Sequence, residues 1–232
     1  MQLAPGVYSL GVAKGFETHA FLIEDGGELT LIDTLFDADA RVILNQIRAI
    51  GRSPTDLKHI VLTHAHRSHL GGLATLKQMS GATVYSHAWE ADIIAGERAA
   101  QQVSWRPQDP LVTYHFQIAN NLNLSKHRPC PVDQSVEDGD TIGPLVVIHA
   151  PGHTPGHLAF WLAKPRILFC GDAVVTSPKF MAGWPGFVIN KRQHAASLQK
   201  LADYDAAILA FGHGEPILEG GAARLRGLIA AI

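Results

Sequence analysis

Three histidines within six residues form the densest group of metal-binding side chains in the chain. They are His64, His66 and His69, and they directly follow the strand-like run 59–62. His64 and His66 are two positions apart, so in an extended segment both side chains point to the same side. His69 follows after a turn and can approach the same point. Imidazoles collected in this way bind zinc or a similar cation, so this segment predicts a metal site.

Three further candidate ligands each follow another apolar run: His153, Asp172 and His213. A carboxylate at the end of a buried strand is unfavourable unless it is paired or bound to a metal. His153 lies in the Pro- and Gly-rich loop 151–157, which also contains His157. One of these two histidines can be a ligand while the other supports the site through hydrogen bonds. Ligands delivered by several strand ends are what a hydrolytic metal centre requires.

The remaining candidates have weaker support from their surroundings. Asp33 ends the apolar run 29–32 and is interpreted as a carboxylate that fixes ligands by hydrogen bonds rather than as a ligand. The other histidines lack such a context and are predicted to be structural, although His19 and His115 could line a pocket. This structural group comprises His19, His59, His87, His115, His127, His149 and His194.

Composition limits the class of protein. The 232 residues can bury a sizeable core, and 47% apolar with 17% charged residues predicts an ordered globular chain. A net charge of -2 without a basic run argues against a nucleic-acid partner. No apolar run reaches the ~20 residues of a membrane span, and the first residues show no signal-peptide pattern, so we expect a cytoplasmic protein. Cys130 and Cys170 are expected to be reduced thiols.

The order of elements predicts two αβ units that meet face to face, an α/β sandwich with the site at the seam. Strands are expected at 6–13, 19–24, 28–33, 60–63, 83–86, 145–149, 158–162, 167–170 and 206–210. Helices are expected at 37–50, from 71 onward, at 193–201 and at 222–229. The segment 89–134 begins helical and then loses its periodicity. It is predicted to be a lid or binding loop, which frames the substrate pocket together with the loop 180–185.

Taken together, these residues resemble the metallo-β-lactamase superfamily, and the resemblance covers the whole chain, 1–232, as a single domain. The signature of that family is His-x-His-x-Asp-His, followed by a later His, a later Asp and a final His, and Asp33 matches its preceding strand-end Asp. The resemblance implies the four-layer αβ/βα sandwich. It also implies a first metal held by His64, His66 and His153, a second held by His69 and His213, and Asp172 between them.

One position departs from the family signature. Ser68 stands where the family has an Asp that binds the second metal, and a neutral hydroxyl is a poor zinc ligand. We therefore expect one or two Zn²⁺ per chain, with the second bound more weakly, and iron is a possible alternative metal. The candidate catalytic residues are Ser68, Asp172 and His213. Ser68 is either a vacated ligand position or itself a nucleophile or proton relay.

These residues predict a metal-dependent hydrolase. A metal-bound hydroxide would attack the carbonyl carbon of a carboxylic ester, lactone, thioester or β-lactam. The partner is expected to be a small-molecule substrate, with no nucleic acid and no membrane, and the oligomeric state is left open. A glyoxalase II-type thioesterase is disfavoured because only 19 residues follow His213. The alternatives are an iron-dependent oxidoreductase on the same fold and a binding protein with a decayed metal site.

Overall fold

Two β-sheets pack face to face in the computed structural model, which describes residues 1–124 and 126–231. The first sheet has the strand order β1 to β7, which is also the order along the chain. Its strands are β1 (Gln2–Ala4), β2 (Val7–Val12), β3 (Thr18–Asp25), β4 (Glu28–Ile32), β5 (Leu57–Val61), β6 (Thr83–Ser86) and β7 (Gln134–Ser135). Strands β4 to β7 run parallel to one another.

The second sheet has the order β12-β11-β10-β9-β8. Its strands are β8 (Thr141–Ile142), β9 (Leu145–His149), β10 (Leu158–Leu162), β11 (Ile167–Phe169) and β12 (Ile208–Ala210). Only the β11–β12 pair is parallel, while the others form an antiparallel meander. The carboxyl ends of β11 and β12 therefore lie side by side, which places the residues that follow them next to each other.

Alternating side chains along each central strand create the layers. In β3, Phe21 and Ile23 pack in the core between the two sheets, whereas Leu22 packs in the core under the first helical layer. In β10, Phe160 faces the other sheet and Ala159 faces the second helical layer. This period of two is what a sheet covered on both faces requires. The predicted four-layer αβ/βα sandwich is confirmed.

Helices cover the outer faces of both sheets. They are α1 (Lys14–Glu17), α2 (Arg41–Ala49), α3 (Arg67–Leu70), α4 (Leu73–Ser80), α5 (Ala88–Ile94), α6 (Tyr114–Asn121), α7 (Lys191–Ala202) and α8 (Gly221–Ala230). Short 3₁₀ turns lie at Pro54–Asp56 and Leu111–Thr113. In the described part of the chain, none of the helices has both the length and the apolar character that crossing a membrane requires. Both cysteines are free and buried.

Three predicted elements differ from the structure. The helix expected at 37–50 begins only at Arg41, because Ala40 has a left-handed φ of 51° that cannot continue a helix. The helix expected from residue 71 is preceded by α3, and the glycine pair lies between two helices. The segment 89–134 begins helical, as predicted, in α5, but the irregular remainder was wrong in part because it contains α6.

Candidate metal centre

Four side chains from loops of both sheets bring their donor atoms together. Each loop follows the carboxyl end of a strand. Nε2 of His64 lies 2.9 Å from Nδ1 of His66, and Nε2 of His153 lies 3.1 Å from the same atom. Oδ2 of Asp172 lies 3.7 Å from His64 Nε2 and 3.5 Å from His153 Nε2. The structure thus assembles the first predicted ligand group from segments that are far apart in the chain.

A second donor group shares Asp172 with the first. Nε2 of His69 lies 3.5 Å from Asp172 Oδ1, and Nε2 of His213 lies 3.3 Å from Asp172 Oδ2. All three side chains are buried. The second group has three imidazole or carboxylate ligands, one fewer than the first, and residue 68 supplies no carboxylate because it is a serine.

The geometry of the first group fits a metal ion. Four ligands in a tetrahedron at ~2.0–2.1 Å from zinc lie about 3.3 Å from one another. The distances from 2.9 to 3.7 Å fall around that value. In the second group, His69 Nε2 and Asp172 Oδ1 are buried without a hydrogen-bond partner. Buried polar atoms in a folded protein are normally satisfied, so a cation would explain both.

Asp33 fixes one imidazole from each donor group. Its Oδ2 accepts hydrogen bonds from the Thr63 hydroxyl at 2.7 Å and from His69 Nδ1 at 2.8 Å. The Thr63 oxygen in turn lies 3.0 Å from His64 Nδ1, from which it accepts a hydrogen bond. These partners place a proton on Nδ1 in both histidines and direct both Nε2 atoms toward Asp172. Asp33 is therefore a supporting residue, as its position after β4 suggested.

Two further hydrogen bonds hold the second half of the centre. His213 donates from Nδ1 to the carbonyl oxygen of Phe16 at 2.9 Å, which leaves its Nε2 as the donor atom. His157 donates from Nδ1 to Ala150 O at 3.2 Å and accepts the backbone N–H of Asp172 at 3.0 Å on Nε2. Of the two histidines in the loop 151–157, His153 joins the first group and His157 orients the backbone at Asp172.

Burial dominates the electrostatics of the first group. Burial, together with neighbouring imidazoles, holds the pKa of His64 well below its usual range, and burial also lowers the pKa of His66 to about 4. Neutral imidazole is the form that binds a metal, so this environment is prepared for one. Burial opposes ionisation of Asp172, but the imidazoles of His213 and His69 prevail and hold its pKa well below the ordinary value.

His69 differs from the other imidazoles in the centre. Burial lowers its pKa, but Asp172 and Asp33 on either side of the ring prevail and raise it to about 10. A cation in the second group would therefore have to displace a proton from His69 at neutral pH. This competition, together with the absence of a carboxylate at Ser68, would weaken the binding of a cation in the second group.

Two glycines allow close packing in and beside the centre, Gly212 against candidate ligands and Gly71 against the backbone of residues 35 and 36. A Cβ at Gly212 would lie 2.1 Å from Asp172 Oδ1 and 2.8 Å from His69 Cε1. A Cβ at Gly71 would lie 2.2 Å from the carbonyl carbon of Phe36. No larger residue fits at either position without moving its neighbours. Gly212 therefore keeps the space between two candidate ligands open.

Glu90 is a functional residue that the sequence did not single out. Its Oε2 accepts the backbone N–H of Ala65 at 3.0 Å, between His64 and His66. Its Oε1 accepts the Thr154 hydroxyl and the Gly156 N–H, both of which follow His153 in the loop 151–157. One carboxylate thus joins the two backbone segments that carry the first donor group. A lone Glu in a weakly periodic segment gives no signal of this role, which arises from long-range contacts.

Glu90 is expected to make stability depend on pH. Burial raises its pKa from 4.5 to about 7, although three hydrogen bonds and Arg98 oppose this. The folded state then binds more protons between these values, so stability from this group is fully present below pH 4.5 and falls as pH rises to 7. The loss amounts to about 3 kcal/mol. Urea unfolding at several pH values should show wild type losing its advantage over Glu90→Gln; a constant difference would contradict the prediction.

A small cavity of about 50 Å³ lies over the two donor groups. Ser68 lines it beside His66 and Asp172, half-buried and close enough to the centre to affect a ligand there. The predicted framing segments contribute Phe116 and Asn120, from α6, and Trp184. The remaining members of 180–185 do not line this cavity.

Trp184 lines the cavity and also contacts a candidate ligand. It is 4% exposed, donates its indole N–H to Ser177 O at 2.9 Å, and packs its ring 4.3 Å from the ring of His213. Its contacts place it in the support of a candidate ligand as well as in the pocket. His19 lines a separate cavity with Ser9 and Glu215, and neither His19 nor His115 lines the cavity over the donor groups.

Comparison with known proteins identifies several relatives. An uncharacterized protein of Bacillus subtilis (strain 168), YobT, is 32% identical over 210 residues, covering 86% of this chain and 84% of the relative. The probable metallo-hydrolase YflN of the same organism is 28% identical over 231 residues, covering 93% and 86%. A hydroxyacylglutathione hydrolase of Maricaulis maris is 29% identical over 164 residues, covering 68% of this chain but only 48% of the relative.

Solved structures share the fold. A metallo-beta-lactamase family protein from Thermus thermophilus is 25% identical and superimposes with a TM-score of 0.72, covering 99% of this chain and 80% of that protein. A protein described in a di-iron-bound form has 24% identity and a TM-score of 0.66, with 94% and 98% coverage. A class B3 di-zinc metallo-beta-lactamase from an Alaskan soil metagenome has 23% identity and a TM-score of 0.66, with 92% and 77% coverage.

The family assignment rests on most of the chain. The family model of the metallo-beta-lactamase superfamily matches residues 13–213, which include all six candidate ligands. The layers of the fold, the order of the ligand segments and the family match agree with one another. This chain therefore belongs to the metallo-beta-lactamase superfamily.

Proposed function

We propose that the chain is a metal-dependent hydrolase acting on a small molecule with a carboxylic ester, lactone, thioester or β-lactam group. The observation that supports it most directly is the pair of buried donor groups that share Asp172. Relatives named metallo-hydrolase and hydroxyacylglutathione hydrolase support hydrolysis as the reaction class. The chain spans 48% of the latter relative, so its thioester substrate is one candidate among several.

The chain's own residues prepare the site in three ways. Asp33 holds His69 directly and His64 through Thr63, with the Nε2 atoms of both histidines toward Asp172. Trp184 and its apolar neighbours exclude water from one side of the centre, which strengthens electrostatic interactions there. The small cavity admits the reacting group of a substrate to this position.

We propose zinc as the metal, with His64, His66, His153 and Asp172 holding the first ion and His69, His213 and Asp172 the second. A bound ion of this kind lowers the pKa of water and polarises a carbonyl oxygen. Imidazole and carboxylate donors also suit iron. Iron in the purified protein together with absent hydrolysis would favour an oxidoreductase instead.

A hydrolysis screen on protein of known metal content tests the proposal. The substrates are esters, lactones, thioesters and β-lactams, each assayed before chelation, after chelation and after restoring zinc. His66→Gln should lose both metal and hydrolysis, because it removes a donor atom of the first group. The matched control is His59→Gln, in the middle of β5 and outside both donor groups, which should retain both. Equal loss in the two variants, or hydrolysis that survives complete chelation, would refute the proposal.

Ser68→Asp is expected to increase metal content. The substitution adds a carboxylate to the cavity beside the weaker donor group, and an added anion offsets part of the charge of two cations. We expect more metal per chain, by up to one ion, and slower loss of metal to a chelator. Metal analysis after timed incubation with chelator measures both. Unchanged metal content would show that Ser68 is not a vacated ligand position.

Ser68→Ala separates a vacated ligand position from catalysis by the hydroxyl. A vacated ligand position predicts that Ala retains metal and hydrolysis within about threefold, since removing a hydroxyl that binds nothing essential has little effect on its surroundings. A nucleophile or proton relay predicts loss of turnover with metal content intact. The two hypotheses therefore give opposite results in the same assay.

A further inference from the structure

A second cavity adjoins the one over the candidate metal centre, and we call it the side pocket. It measures about 230 Å³, and Arg67 and Asn120 line both cavities. The cavity over the donor groups, about 50 Å³, has room for only a few water-sized groups. The combined volume of the two cavities approaches the ~300 Å³ of a small ligand site, whereas neither cavity alone is that large. A substrate that places its reacting group at the centre must extend beyond it, and the side pocket is adjacent.

Cationic side chains line the side pocket. Arg67 follows His66 directly, is half-buried and lies 4.6 Å over the ring of Phe36. It donates one hydrogen bond to Phe36 O, and no carboxylate lies within ion-pair distance of it in the described residues. Lys126 is exposed at the same pocket and likewise makes no ion pair within residues 1–124 and 126–231.

The other charged side chains of the pocket do not cancel this charge. Arg98 is bound by both carboxylate oxygens of Asp92 at 2.7 and 2.8 Å. His127 donates its Nε2–H to Ile94 O, and burial lowers its pKa. Glu97 also lines the pocket and offsets one cation. Because Arg98 is already neutralised by Asp92, Arg67 and Lys126 exceed Glu97 by one positive charge.

Arginine at such a position selects for particular ligands. Its planar guanidinium presents donors that match a carboxylate or a phosphate group, and partial burial protects that interaction from screening by salt. We propose that the side pocket binds an anionic carboxylate or phosphate group of the substrate, with Arg67 as its main contact and Lys126 as a weaker one. This inference rests on the proposed hydrolysis, because it describes the part of the same substrate that does not react.

Three acetyl esters with one aryl spacing provide the test: methyl 4-acetoxybenzoate, 4-acetoxybenzoate and 4-acetoxyphenyl phosphate. The zinc-loaded protein should hydrolyse an anionic ester with a higher kcat/KM than the neutral one. The preferred anionic ester identifies whether the anionic group of the natural substrate is a carboxylate or a phosphate. Arg67→Gln should reduce this preference about tenfold, as expected for a charged hydrogen bond. Lys126→Gln should reduce it about twofold, because that side chain is exposed.

Lys164→Gln is the matched control, since Lys164 is exposed and lines neither cavity. It should leave the preference unchanged, and metal content is measured in all three variants. A preference that neither Arg67→Gln nor Lys126→Gln alters would overturn the proposal, as would a preference of wild type for the neutral ester.

Calorimetric binding of 4-ethylbenzoate separates the pocket from the reaction. Arg67→Gln should weaken this binding about tenfold whether or not the protein hydrolyses any ester. Weakened binding without hydrolysis would leave the side pocket supported and the proposed function refuted. Binding that is equal in wild type and Arg67→Gln would refute the side pocket, because the carboxylate would then be held elsewhere, such as at the metal.

Discussion

Asp172→Asn is expected to remove metal from both donor groups while the fold remains. The substitution keeps the shape of the side chain but replaces the anion that both groups share. Five imidazole donors would then surround two cations without any carboxylate. Loss of a partner that only supports a ligand already reduces metal affinity or activity 10–100-fold. We therefore expect hydrolysis to fall by more than about 100-fold, with metal content near zero.

Metal analysis and the hydrolysis screen measure this result, and Asp25→Asn provides the control. Asp25 is exposed at the end of β3, away from the centre, and loses the same charge when substituted. It should match wild type in both measurements. Two metal ions per chain in Asp172→Asn would show that Asp172 is not shared between the groups.

Gly212→Ala should disable the second donor group without removing any ligand. The added methyl group would lie 2.1 Å from Asp172 Oδ1, so the carboxylate or the loop must move. Gly212 does not have a left-handed φ, and its backbone conformation is therefore open to alanine. The expected loss of metal therefore comes from the steric contact with Asp172 and not from backbone strain. We expect loss of the second metal and a fall in hydrolysis of about 100-fold, comparable with the loss of an outer partner.

Gly227→Ala is a control of the same chemical change. Gly227 lies in α8 with open space around it, so alanine should stabilise the helix by about 0.5–1 kcal/mol. The thermal unfolding temperature should therefore rise slightly in Gly227→Ala, with metal content unchanged. Wild-type metal content in Gly212→Ala would contradict the close approach of Gly212 to Asp172.

Much of the fold was predictable because its determinants are local. The longer strands of both sheets carry alternating or continuous apolar residues, and turns with glycine separate them. Their order was therefore predictable, and their bounds were predictable to within a few residues. The candidate ligands were recognisable because they follow such strands. A histidine or aspartate side chain buried there is unfavourable unless it is hydrogen-bonded, paired or bound to a metal. The histidines at 64, 66 and 69 are also close together in sequence, which makes the pattern visible without a structure.

The residues that the sequence did not reveal act across long distances in the chain. Glu90 contacts Ala65 and Gly156, which are 25 and 66 positions away. Arg67 lies between His66 and His69 in the sequence, but only the fold shows that Asn120 of α6 and Lys126 line a cavity with it. The helix α6 itself was missed because its burial depends on contacts with distant residues rather than on a strong amphipathic pattern. Asn121, for example, bonds both backbone groups of Val103.

The carboxylate of Glu90 has a consequence for how the protein exchanges metal. It holds the backbone at Ala65, from the first αβ unit, and at Gly156, from the second, through hydrogen bonds that involve no cation. Removing the ion would thus leave the two ligand loops in register. Release and uptake then become local events rather than unfolding and refolding, and one ion can replace another within a single folded population. The identity of the bound ion would consequently follow the supply of metals around the protein.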